Sequence, residues 1–196
     1  DDLVQDLLST PQMQRLRRIR QLGFSNLVYP GANHSRFEHS LGTMHLTSTL
    51  TRGLDSIEEE KKTEIKAAAL LHDIGHGPFS HVTENVIDKY TRRRHDDVKE
   101  LLEKGEIREV LNKYGISPGN LVKHIKGETS LGQILSSEID VDRMDYLVRD
   151  AHYTGVAFGV VDYNRLIKKM NFHENRLVID YGGLKAAESL LVSRFW

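Results

Sequence analysis

The chain has 196 residues, 39% of them hydrophobic, which is enough for one sizeable packed core and excludes global disorder. Acidic residues number 28 against 27 basic ones, a net charge of -1, so the basic excess of a nucleic-acid binder is missing and nucleic acid is not expected as a main partner. Without cysteine there are no disulfides and no thiolate metal ligands, and no apolar run reaches the ~20 residues that a membrane-spanning helix needs. A cytoplasmic location is the expectation.

Leu3, Val4, Leu7 and Leu8 open the chain on an amphipathic segment, and Phe195-Trp196 close it inside a helical pattern, so a longer protein is expected. Ser9-Thr10-Pro11 offers a capping hydroxyl and then Pro in a first turn, predicting a helix to about residue 22 with Gly23 as its stop. Gly23, Pro30, Gly31 and Asn33 make 23–35 a loop. A long helix over 37–54 follows, with Leu41, Met44, His45 and Ser48 on one inner face. The next, over 57–73, is charged at its start and then runs Ala67-Ala68-Ala69-Leu70-Leu71, where it must be buried; Gly75-His76-Gly77-Pro78 ends it. Further helices are predicted near 80–90, 95–104, 106–114, 117–125, 140–152 and 162–169. Leu177-Val178-Ile179 reads as a strand in a hairpin turning at Glu174-Asn175, and Gly182-Gly183 leads into a last helix. The predicted class is mainly α, a helical bundle with a small β-hairpin near the C-terminal end.

The densest chemical signal is Leu70-Leu71-His72-Asp73-Ile74-Gly75-His76-Gly77-Pro78-Phe79-Ser80-His81. His72 and Asp73 close a buried helix, where a bare carboxylate is strongly unfavourable and a metal ion supplies the missing partner. Successive helical residues point about 100° apart, so both side chains reach one ion beyond the helix end without filling its coordination shell. Two other segments offer further ligands: Arg36-Phe37-Glu38-His39-Ser40-Leu41-Gly42, and Glu138-Ile139-Asp140-Val141-Asp142-Arg143-Met144-Asp145-Tyr146. Imidazole with carboxylate suits Mn, Fe, Ni, Co, Zn or Mg and leaves positions open for water and a phosphate oxygen. Simpler roles compete at several positions. Asp140 suits a helix cap, Asp145 a pairing with surface Arg or Lys, and His76 the closing of its Gly-flanked turn. His81 suits a cap, and His34 and His45 stay open between structural and functional roles.

In that order, His39, His72-Asp73 and Asp142 resemble the HD-domain phosphohydrolase superfamily. Within it the chain is most similar to the deoxynucleoside triphosphate triphosphohydrolases of the SAM- and HD-domain type. The likeness extends over Pro11-Gln12-Met13-Gln14-Arg15-Leu16-Arg17, Tyr29-Pro30-Gly31-Ala32, and 35–42, 72–81 and 139–146 with Arg149-Asp150. It implies an HD domain at 1–170 and, at 171–196, the start of a C-terminal hairpin-plus-helix region that continues beyond the chain.

The resemblance also implies roles. His39, His72, Asp73 and Asp142 match ligands of a divalent metal ion. Arg36 and Arg143 match phosphate contacts. His76 and His95 match active-site histidines near the scissile phosphate, with His95 as candidate general acid. Gln21 and Leu22 match the lining of a sugar pocket, and Tyr146 and Asp150 match residues that read the deoxyribose. Asp142, Tyr146 and Arg149-Asp150 also fall at i, i+4 and i+7/8, one face of a helix.

The implied reaction is hydrolysis at the α-phosphorus of a deoxynucleoside triphosphate, giving deoxynucleoside and tripolyphosphate. The implied partners are that substrate, a nucleotide effector near Gln14 and Arg17, and further copies of the chain in a homo-oligomer. Ser9 stands where mammalian members carry an acidic residue that reads an activating guanine, which leaves the effector base open. Two alternatives stand beside this reading: an HD phosphodiesterase or phosphatase acting on another nucleotide, and a nucleotide-binding regulatory module without turnover. Tyr146 and Asp150 favour the triphosphate, and the complete ligand set argues against the module.

Overall fold

Eleven helices and one hairpin make up residues 1–92 and 97–194, which are the residues that the computed structural model describes. The helices are α1 Asp2–Ser9, α2 Pro11–Arg15, α3 Arg36–Arg52, α4 Glu59–Leu71, α5 Ser80–Thr91, α6 Lys99–Leu102, α7 Gly105–Lys113, α8 Pro118–Ile125, α9 Val141–Thr154, α10 Tyr163–Lys169 and α11 Leu184–Ser193. Between the last two runs the hairpin, β1 Met170–His173 antiparallel to β2 Arg176–Ile179, with Met170 opposite Ile179 and His173 opposite Arg176. Glu174 and Asn175 between the strands have φ of 48° and 62°, the left-handed pair that a tight two-residue hairpin turn requires. The mainly helical class with one small hairpin is the one the sequence pattern predicts.

α4 is the hub. Ala67, Ala68, Ala69, Leu70 and Leu71 are consecutive and all buried, so the C-terminal end of this helix is enclosed on every side. Its alanines keep that end thin, and α3 and α8 both pack on α4 while α9 packs on α3. Ile65, Leu70, Leu71 and Ile74 share one continuous core with Leu102, Ile107 and Leu111 from α6 and α7 and with Leu166 and Leu190 from α10 and α11.

Two local expectations are corrected. The helix predicted from residue 10 to 22 stops early: α2 gives way to a 3-10 turn, Leu16–Arg18, and Ile19 is extended. The backbone of 19–21 pairs instead with the approach to α3. The Arg36 N–H donates to Ile19 O at 2.9 Å, the Gln21 N–H donates to His34 O at 3.0 Å, and Arg20 bridges Ser35. This pairing fixes where α3 begins, helped by the reciprocal Ser35–Glu38 capping box.

The second correction concerns the face of α3. The buried stripe is Arg36, His39, Ser40, Thr43, Thr47, Leu50 and Thr51 with Phe37 and Leu46, whereas His45 is exposed and Leu41, Met44 and Ser48 are only half-buried. The helix satisfies part of this hydroxyl stripe internally, Thr47 donating to Thr43 O at 2.9 Å and Thr51 to Thr47 O at 2.8 Å, whereas the buried Ser40 and Thr43 hydroxyls have no partner among the described residues. Apolar periodicity therefore pointed to the wrong side of a helix whose inner face is polar. Of the helix predicted over 95–104, residues 95 and 96 lie outside the described residues, and the remainder is helical only over Lys99–Leu102.

Because Ala68 is fully buried at the hub, Ala68→Leu is expected to overpack it and lower unfolding free energy by about 1–3 kcal/mol in urea denaturation. A change below about 0.5 kcal/mol, the size usual for a surface substitution, would show that the hub is not tightly packed.

Candidate metal centre

Three elements deliver the cluster. His39 lies in the first turns of α3, His72 and Asp73 continue from the end of α4, and Asp142 stands in the first turn of α9. His39 Nε2 and His72 Nε2 are 3.2 Å apart. Asp142 Oδ1 lies 2.8 Å from the first and 3.4 Å from the second. Asp73 Oδ1 is 3.5 Å from His72 Nε2, and Asp73 Oδ2 is 3.9 Å from His39 Nε2. His39, His72 and Asp73 each offer a ligand atom within 4.8 Å of the others.

The outer nitrogens decide the state of the inner ones. His72 Nδ1 is 2.7 Å from Ala69 O, and a carbonyl only accepts, so that nitrogen carries the proton. His39 Nδ1 is 2.8 Å from Asp145 Oδ2, and it likewise donates to a carboxylate. In neutral imidazoles both Nε2 atoms then present lone pairs toward each other, with two carboxylates beside them. That donor set suits a cation.

The charge balance says the same. Burial opposes a charge on His39, yet hydrogen bonds to Asp142 and Asp145, with Asp73 close by, outweigh it and raise the pKa to about 10. Burial is likewise outweighed at His72, where Asp73 and Asp142 raise the pKa. Burial pushes Asp142 and Asp73 upward, but their basic neighbours hold both below the ordinary carboxylate range. Without an ion, His39 therefore carries a second proton on the Nε2 that faces Asp142; a divalent ion in that proton's place would meet two histidine nitrogens and two carboxylates, a donor set that suits it.

Arg36 is 2% exposed, and its Nη1 donates to Asp73 Oδ2 at 2.6 Å while its Nε donates to Ser80 Oγ at 3.0 Å. His76 Nε2 is 3.3 Å from Asp73 Oδ1. The cluster, Arg36, His76, Gln21 and Tyr146 all face one cavity of about 640 Å³. Gln21 Oε1 is buried with no hydrogen-bond partner among the described residues, and the Tyr146 and His39 ring centres are 6.4 Å apart. Lys126, Glu128 and Ser136, which the sequence did not single out, add polar groups to the wall beside Ile125 and Leu135.

Other candidate positions lie elsewhere. Arg143 binds the Asp140 carboxylate and the Ser137 carbonyl, and Asp140 also accepts from the Arg143 backbone N–H at 2.8 Å, capping α9. Asp150 Oδ1 is 2.6 Å from Nε2 of the buried His34, whose ring stacks on Tyr153. Leu22 is half-buried beside Gln21. None of Leu22, Arg143 and Asp150 is among the cavity-lining residues. His95 lies outside the described residues. Asp145, read from sequence as a partner for surface Arg or Lys, does pair with Arg149, but it is buried and also holds His39. Its i, i+4 relation to Arg149 was visible in the sequence, whereas its depth was not.

The HD domain family model matches residues 36–150, more than half of the chain and all four residues of the cluster. This chain belongs to the HD-domain family. A second model, the HD associated region, matches residues 161–196. The chain is similar to the Bacillus subtilis protein YwfO, 39% identical over all of this chain and 46% of that protein. It is similar to the mouse deoxynucleoside triphosphate triphosphohydrolase SAMHD1, 33% identical over 83% of this chain and 31% of that enzyme. Among solved structures, a phosphohydrolase from Bacteroides thetaiotaomicron superposes with a TM-score of 0.86 at 38% identity, covering 99% of this chain and 49% of that one. The HD-domain chain thus spans less than half the length of each of these three.

If the cluster holds a divalent ion, folding and binding are linked. Mn²⁺ at one hundred times its Kd is expected to add about 2.7 kcal/mol of stability, read as a rise in Tm, and His72→Ala is expected to lose most of that rise. An equal rise in both proteins would place the ion elsewhere.

Proposed function

We propose that this HD-domain chain is a metal-dependent phosphohydrolase, and more specifically that it hydrolyses deoxynucleoside triphosphates to deoxynucleoside and tripolyphosphate. The observation that carries the first part is the pair of tautomer-fixed histidines facing each other between two carboxylates, at the wall of an open cavity. His39, His72, Asp73 and Asp142 are the proposed ligands. When bound, a divalent ion supplies Lewis-acid polarisation of a phosphoryl oxygen and makes water more acidic.

The chain's own residues supply the rest. Arg36, anchored by Asp73 and Ser80, places a fixed positive charge beside the cluster, where it stabilises charge developing on phosphate oxygens. Asp73 also holds His76 at the cavity wall, and the resemblance gives His76 a place near the scissile phosphate. Water adds to the α-phosphorus, the bond from phosphorus to the 5′-oxygen breaks, and that oxygen takes up a proton.

The finer part rests on the likeness to SAMHD1 together with the cavity. Its volume of about 640 Å³ lies within the ~300–1,000 Å³ typical of small-molecule sites. Gln21 Oε1 offers an unpaired acceptor to a sugar hydroxyl, and the resemblance gives Tyr146, on the same cavity wall, the exclusion of a 2′-hydroxyl. Leu22, Arg143, Asp150 and His95 keep their substrate-facing roles in this proposal on resemblance alone.

A nucleotide effector is proposed at a separate cavity of about 380 Å³ lined by Arg17, Arg18, Arg20 and Asn33. Arg17 is held there by Gln14 Oε1 at 2.9 Å and by the Phe37 ring at 3.8 Å. Association of copies is proposed as well, since Phe24 stacks on Phe79 at 4.2 Å with both rings partly exposed, near the exposed Leu27, Val28 and Val82.

Phosphorus NMR of the full-length protein with each deoxynucleoside triphosphate and Mn²⁺ or Mg²⁺ is expected to show tripolyphosphate, absent with Asp73→Ala. Orthophosphate or pyrophosphate instead would keep the hydrolase and reject cleavage between the α-phosphorus and the 5′-oxygen. Tyr146→Ala is expected to reduce the preference for deoxy- over ribonucleotides on the order of tenfold in kcat/KM. Light scattering with nucleotide present is expected to give a mass above one subunit, and a monomeric mass would remove the association.

A further inference from the structure

His39 is gripped from both sides by one helix. Asp142 Oδ1 is 2.8 Å from its Nε2, and Asp145 Oδ2 is 2.8 Å from its Nδ1. Residues three apart on α9 share a face, so a single imidazole fits between the two carboxylates. The two are not equivalent. Asp142 stands on the Nε2 side, with His72 and Asp73, whereas Asp145 stands on the Nδ1 side of the ring, away from them.

Asp145 is itself clamped. Arg149 donates through Nε to Asp145 Oδ2 and through Nη2 to Oδ1, both at 2.8 Å. The carboxylate is 8% exposed and so receives three hydrogen bonds in a nearly closed site. A two-pronged guanidinium contact fixes the plane of a carboxylate, which a single contact does not.

Gly42 makes the arrangement fit. It follows His39 by three residues on α3, where α3 and α9 meet. A Cβ at this position would stand 1.8 Å from Asp145 Oδ1 and 2.4 Å from Arg149 Nη2. Any side chain at residue 42 would therefore displace the clamp. Three features of different kinds thus converge on one carboxylate: a hydrogen bond to a ring, a paired guanidinium, and a space kept free by glycine.

We propose that Asp145 is a positioning residue for the metal centre: held by Arg149 and admitted by Gly42, it fixes the His39 ring so that Nε2 points at the ion. The proposal rests on the metal reading above. A carboxylate on the outer nitrogen of a ligating histidine fixes ring orientation and tautomer and makes the inner nitrogen a better donor, commonly a 10–100-fold effect on metal affinity.

The test is Mn²⁺ affinity of the full-length protein, by calorimetry or chelator competition, for wild type, Asp145→Asn and Arg149→Gln, with circular dichroism as the check on folding. Asp145→Asn is expected to bind about 10–100-fold more weakly with its helical signal unchanged, and Arg149→Gln to weaken binding in the same direction by less. The visible absorption of the Co²⁺-loaded Asp145→Asn protein is expected to differ from wild type, because the geometry around the ion has loosened. Folded variants that bind Mn²⁺ like wild type and share its Co²⁺ spectrum would overturn the proposal and leave Asp145–Arg149 as a helix ion pair. If Asp145→Asn does not fold, Arg149→Gln decides alone, and wild-type affinity there would overturn it. A wild-type protein that binds no Mn²⁺ would instead bring down the metal reading itself, a result distinguishable from unaffected variants.

Discussion

His39 Nε2 and His72 Nε2 stand 3.2 Å apart, a contact that two neutral rings with outward-facing protons cannot bond across. Their own protons are committed outward, to Asp145 and to the Ala69 carbonyl. Two ionised carboxylates then close on the same point. Such an arrangement is stable only around positive charge, and the elevated pKa of His39, about 10, expresses that demand. Most other features of this region can be understood as holding four donors at that point.

The fold does so partly through polar groups turned inward. α3 turns hydroxyl groups inward and satisfies Thr47 and Thr51 on its own carbonyls. The alanines of α4 let its neighbours approach until the residues just beyond its last turn, His72 and Asp73, meet the start of α3. Arg36 is buried at that start, balanced by Asp73 and tethered to Ser80, so the turn after α4, the beginning of α5 and the beginning of α3 are tied together through one guanidinium. Removing either charge of that pair would leave the other buried alone, which costs far more than the pair contributes. The strand-like pairing of 19–21 with 34–36 belongs to the same design, because it sets the first residue of α3 and brings Gln21 to the cavity.

Much of this was legible in the sequence, for reasons that differ by element. The buried stretch of α4, the glycines that end it and the hairpin turn at Glu174-Asn175 are local signals, and the structure follows them. The order of His39, His72-Asp73 and Asp142 pointed to a shared cluster, and the structure brings these side chains together. What the sequence did not reveal depends on contacts between distant segments. Nothing local says that residues 19–21 abandon a helix to pair with 34–36. The polar inner face of α3 inverts the usual hydrophobic pattern. Asp145 looked like half of a surface ion pair because its second partner, His39, lies 106 residues away. Arg143 and Asp150 also have partners that the local pattern does not show: Asp140 caps α9 on the Arg143 N–H and pairs with its guanidinium, and Asp150 meets the buried His34, while their substrate-facing roles stay part of the proposal.

The most direct measurement is an anomalous difference map from crystals of the full-length protein grown with Zn²⁺. The account predicts one strong peak about 2.1 Å from Nε2 of both His39 and His72, with Asp73 and Asp142 completing the protein ligands. A map with no peak there, and the two rings still 3.2 Å apart, would mean that a proton satisfies the cluster and would contradict the central claim.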